Sequence, residues 1–204
     1  SRGTVLLTGF FVLALAALWI QAASASGRIP GVLSGLLSLV AVWILLYPGL
    51  FLSRSPSIPF WNSPLLPVLF LVQGITSGFS ILLLYFAWTL TSFSGTGVVA
   101  FLWVQLGALL FLFLMTGLYI HGMIHAGAAA RESTQLLVRG ELSLGFLVWG
   151  VVVGMLLPAV LTSLALLDRS AGVPLVSVCV VAKLVGDLLF RHHMIKAGMY
   201  DTVF

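Results

Sequence analysis

The sequence predicts an all-α, polytopic transmembrane helix bundle, and three observations carry that prediction. The chain of 204 residues is 61% hydrophobic and only 7% charged, with a mean hydropathy of +1.20; the surface of a soluble domain this size needs far more charge. Apolar runs of about 20 residues, enough to cross a bilayer as a helix, recur along the chain. The basic residues sit singly at the ends of those runs, where topology-setting charges belong. The net charge of +4 is therefore a signal for the lipid bilayer and not for nucleic acid.

Six spans are expected in one transmembrane domain covering residues 1–204. The first, Thr4–Ala22, is too long for the apolar core of a signal peptide, and residue 1 is not Met. The chain therefore reads as processed or incomplete at its N-terminus. "ASASGRIP" turns into the second span, Gly31–Ser53. "RSPSIPFWNS" ends that span, and the third, Pro64–Trp88, starts with Asn62 or Ser63 as cap and Pro64 in first position. The fourth, Gly97–Ile120, follows "TSFSGTG". The long link from His121 to Glu141 contains "AGAAARESTQ" and reads as an extension of the fourth helix beyond the membrane. The fifth and sixth spans, Leu142–Leu166 and Val173–His193, flank "DRSAGVP". Gly74–Gly78 and Gly150–Gly154 have the spacing of close helix contacts, and Trp19, Trp61 and Trp88 read as interfacial anchors.

Arg2, Arg54, Arg131, Arg139, Arg191 and Lys196 fall on one side of this topology, and Arg28 and Arg169 on the other. The basic excess places both termini in the cytoplasm.

The last span carries Lys183, Asp187 and Arg191 at steps of four, so all three share one helix face. A charge at the bilayer centre costs at least about 2.5 kcal/mol on the mildest insertion scale. The stripe must therefore pair internally and face the bundle interior, a cavity or a partner. Two readings follow: an ion-paired packing stripe, or a proton path through a polar cavity that Gln73 and Gln105 extend. His121 and His125, and His192 and His193, end two spans on the same side. They read as interfacial groups, as haem or metal ligands, or as a point of proton entry. Ligands at a span edge argue against a haem between helices, and the pair at 121 and 125 lacks the adjacent Glu of a zinc site. The single Cys179 excludes a disulfide within the chain and an iron–sulfur cluster held by it alone; it reads as a small packing residue.

The string "YPGLFLSRSPSIPFWNSPLLPVLFLVQGITSG" is more specific. Tyr47 and Gly49 at a helix end, then Pro59, Phe60, Trp61, Asn62, Ser63 and Pro64, then Phe70, Gly74 and Gly78, resemble the NrfD/polysulfide-reductase membrane-subunit family. Gly186, Arg191, Ala197 and Gly198 in the tail match that family's final helix. The resemblance implies a membrane anchor in a respiratory complex of the iron–sulfur molybdoenzyme type, in a prokaryotic cytoplasmic (inner) membrane. The anchor exchanges electrons between a quinone pool (menaquinone or ubiquinone) and a ferredoxin-like iron–sulfur subunit, and through it a catalytic subunit, without haem of its own. The family has two further helices upstream, so these six spans correspond to the last six of eight. Its quinone contacts lie largely in those early helices, and none is carried over; Lys183 and Asp187 rest on physics alone. Three other readings remain open: a b-type cytochrome anchor using the histidines, a proton or cation translocator with no redox partner, and a purely structural anchor with the quinone held by another subunit.

Overall fold

The computed structural model describes residues 2–23, 29–89, 96–167 and 173–200, and Arg28 and Arg169 lie outside them. Its elements are α1 (Arg2–Ala23), α2 (Gly31–Ser53), α3 (Leu65–Thr89), α4 (Thr96–His125), α5 (Ala128–Val138), a wider π-helical stretch (Leu144–Leu156) running into α6 (Leu157–Leu167), and α7 (Val173–Lys196). There is no strand among the described residues. Five helical segments are long and apolar enough to cross a membrane: Gly3–Ala23, Gly31–Ser53, Leu65–Thr89, Gly97–His125 and Leu144–Leu167. α7 has the length, at 24 residues, but Lys183, Asp187 and Arg191 within it and Lys196 at its end set it apart from those five.

The link after α4 departs from the expected continuous helix. Gly127 takes φ +141°, a value side chains rarely adopt, and the chain restarts as the separate helix α5. Good helix formers on both sides hide this break in the sequence.

α7 packs against the π-helical stretch, α3 and α6, while α3 lies among α2, α4 and α7. Small residues permit the closest approach. A Cβ on Gly186 would lie 2.1 Å from Gly154 Cα, and one on Gly150 would lie 3.3 Å from Phe190 Cα. A Cβ on Gly49 would lie 2.5 Å from Pro67 Cα, so this residue sets the α2–α3 contact. A Cβ on Gly74 would meet the Leu45 side chain, but one on Gly78 would meet nothing within 4 Å.

The aromatic turn before α3 is the other organiser. Phe60 is fully buried against Tyr119 of α4, with ring centroids 5.5 Å apart, and the Tyr119 hydroxyl donates to Phe60 O. The Trp61 indole donates to Met194 O of α7 at 3.0 Å, and its ring fills the space above Gly198. Trp61 is thus a tertiary clamp and not a lipid anchor, unlike the outward-facing Trp19 and Trp88. Tyr119→Phe orphans the Phe60 carbonyl and is expected to cost about 1–3 kcal/mol, read as a lower unfolding temperature.

Candidate functional site

The α7 stripe and one face of α3 form a buried polar network. Lys183 is fully buried and Asp187 is 6% exposed. The Lys183 ammonium donates to Asp187 Oδ1 at 2.5 Å, as the i,i+4 spacing allows. Gln73 Nε2 donates to the same oxygen at 3.0 Å, and the Ser77 hydroxyl contacts Oδ2. Three donors thus converge on one carboxylate, which offsets much of the cost of keeping a charge there.

Arg191 is reached differently from the expected run of ion pairs. Its Nε donates to Gln73 Oε1 at 2.9 Å, so Gln73 stands between guanidinium and carboxylate. The Arg191 Cζ also lies 5.2 Å from the centroid of the Phe70 ring, a cation–π distance. The amide orientation of Gln73 follows, since a flip would set NH2 against Arg191 and oxygen against Asp187.

Ser77 Oγ also lies 2.9 Å from Gln73 O. Its single proton can serve only one acceptor at a time, so this hydroxyl donates either to Asp187 or to the Gln73 carbonyl. Further along α3, Thr76 bonds to Gln73 O and Ser80 to Thr76 O. Gln105 of α4 is fully buried and donates to Ser80 Oγ at 2.9 Å. Its Oε1 has no partner among the described residues. Gln105 thus joins the α3 hydroxyls and makes no direct bond to the three charges. Ser77, Thr76 and Ser80 are not among the residues singled out in the sequence. The i,i+4 pairs Gln73–Ser77 and Thr76–Ser80 were the available signal, masked by how common lone hydroxyls are in apolar helices.

The histidines come together as pairs, with ring centroids 5.0 Å apart for His121–His125 and 5.5 Å for His192–His193. No group of three or more His, Cys, Asp or Glu able to hold a metal occurs among the described residues. His193 Nδ1 lies 2.6 Å from Leu189 O. Cys179 is buried, its Sγ 3.8 Å from Pro158 O.

The family-motif residues fall at the same end of the bundle as Arg191. Tyr47 lies over Gly3 of α1, and α2 continues past it through Pro48 to Ser53, so the Tyr-x-Gly segment lies inside the helix. Ser63 Oγ accepts from Leu65 N at 3.3 Å, which makes Ser63 the cap, with Asn62 in the turn before it and Pro64 directly after. A cavity of about 630 Å³ between α1 and α2 is lined by Leu6, Trp43, Tyr47, Leu50, Phe51, Arg54 and Ser55. Its walls are largely apolar, and Trp43, Tyr47, Arg54 and Ser55 are the lining residues whose side chains carry hydrogen-bond donors.

Comparison with known proteins gives a consistent family. The chain is 32% identical over 179 residues to Protein NrfD of Escherichia coli (strain K12), covering 81% of this chain and 52% of that protein. It is 31% identical over 171 residues to the C subunit of polysulfide reductase from Wolinella succinogenes, covering 78% and 51%. The chain spans about half the length of these curated relatives. No solved structure matches it. The family model described as Polysulphide reductase, NrfD, matches residues 3–202, and with its apolar helices the chain is an integral membrane protein belonging to the NrfD/polysulfide reductase membrane-subunit family.

Proposed function

We propose that this chain is part of a membrane anchor that exchanges electrons between a quinone pool and an iron–sulfur partner subunit, with protons moving along the α7–α3 network. The observation that carries the reading is the buried Lys183–Asp187 pair, held by Gln73 and Ser77 and joined through Gln73 to Arg191. Ionisable groups are retained inside a membrane chiefly where ions or protons move.

Quinone reduction takes up two electrons and two protons. The single cysteine leaves no ligand set for a cluster within these residues, and the cluster of this reading sits in the partner subunit. In the cavity beside Tyr47, the Tyr47 hydroxyl and Arg54 would donate to a quinone carbonyl and Trp43 would flank the ring. Arg191, nearest the helix end, sets the local potential at the mouth of the proton path. Asp187 takes up and releases the proton, Ser77 reorients with it, and Lys183 holds the carboxylate in its charged form between transfers. The orientation that fits is the one with Arg191 and both termini on the cytoplasmic side of a prokaryotic inner membrane.

The test is quinol turnover by the assembled complex carrying Asp187→Asn. This variant preserves side-chain volume and removes the proton acceptor, so turnover is expected to fall on the order of 10²-fold. Unchanged turnover removes Asp187 from the mechanism. In parallel, Tyr47→Phe is expected to raise the quinol KM about tenfold with a smaller change in kcat, as loss of one hydrogen bond from the site implies.

A further inference from the structure

Away from the α7 stripe, α5 and the end of α4 enclose a second chemically distinctive site. α5 buries Ala130, Ser133, Thr134 and Leu137 against the bundle and leaves Arg131, Gln135 and Arg139 on its outer side. A cavity of about 240 Å³ is lined on the α5 side by Arg131, Gln135, Val138 and Arg139 and on α4 by Ile120 and Ile124. Neither guanidinium is ion-paired or hydrogen-bonded among the described residues. Glu132 lines the neighbouring cavity and not this one.

Beyond the cavity, the row of Ile120 and Ile124 continues along an exposed side of α4. Helical periodicity places Ile124, Ile120, Gly117 and Phe113 within a narrow stripe. Ile124 and Phe113 are 38% and 43% exposed, and a Cβ on Gly117 would meet nothing within 4 Å. With no side chain at Gly117, open space lies between the isoleucines and Phe113 along this row.

We infer that this is a binding site for one anionic phospholipid, its phosphate held by Arg131 and Arg139 and an acyl chain lying along the Ile124–Phe113 row. Two unpaired guanidinium groups match the charge and geometry of a phosphate, and basic pockets at the ends of spans bind anionic headgroups. The apolar row favours a lipid over free phosphate. A protein partner covering the same row would have to enter the hydrocarbon layer.

The experiment uses the purified intact complex in nanodiscs of phosphatidylcholine with a minor fraction of phosphatidylglycerol, with retained lipid counted by native mass spectrometry. Arg131→Gln/Arg139→Gln is expected to weaken phosphatidylglycerol retention about thirtyfold, from roughly a fivefold contribution per basic residue. Arg131→Lys/Arg139→Lys should retain much of it. Gly117→Leu, on an open surface and with the charges untouched, should also lower retention by filling the open space along the row. Equal retention by the Gln variant and the wild type overturns the site, as does displacement of the lipid by millimolar inorganic phosphate. If the Gln variant instead sheds a protein subunit while keeping its lipid, the face is a protein-docking surface and the lipid assignment is wrong.

Discussion

Asp187→Leu is expected to destabilise the protein by about 3–5 kcal/mol, the usual result of leaving a buried charge without its partner. Lys183 is fully buried and, among the described residues, its ammonium is bonded only to Asp187 Oδ1. Gln73 and Ser77 each lose a partner as well. The second-site change Lys183→Met should recover most of the loss, because replacing both members of a buried pair with apolar groups is often neutral or stabilising. Thermal unfolding of the wild type, the single variant and the double variant in one detergent checks both statements. If the single variant matches the wild type, the pair is not buried in the way described.

Gly186→Leu is the second large effect. The contact it would violate is backbone: an added Cβ lies 2.1 Å from Gly154 Cα and 2.5 Å from Gly154 N. No side chain can rotate away there, so α7 must move off the π-helical stretch. The expected cost exceeds the roughly 1–3 kcal/mol typical of an overpacked core, and Gly186→Ala already brings part of it. Because Asp187 is the next residue, the displacement also disturbs the polar network. Gly74→Ala is the contrast: its added Cβ would meet the end of the Leu45 side chain at 2.4 Å, which can turn aside, so the cost should stay below about 1 kcal/mol. Fluorescence-detected size exclusion after graded heating separates the two glycines. Equal behaviour would contradict backbone contact at Gly186.

The helical, membrane-embedded class was legible because it rests on composition and run length, which the sequence displays directly. The charged stripe was legible for a similar reason: steps of four put Lys183, Asp187 and Arg191 on one face whatever surrounds them. What those residues touch was not legible. That Arg191 reaches Gln73 before Asp187, and that Ser77 completes the carboxylate's donors, depends on how α3 lies against α7, which local spacing does not encode. Trp61 illustrates the same limit. Its place near a span end resembles an interfacial anchor, yet its indole is committed to Met194 O. Gly127 failed differently: alanines on both sides favour helix, and a single positive φ overrides them.

That the buried network moves protons, and does more than hold α7 against α3, is tested most directly by one double variant. The measurement is quinol turnover by the assembled complex carrying Lys183→Met/Asp187→Leu, in a preparation whose unfolding temperature matches the wild type. Turnover at least about tenfold lower is expected despite the intact fold, because the carboxylate proposed to carry the proton is gone. Full turnover in that stable double variant would contradict proton transfer through the network and leave the stripe a packing device.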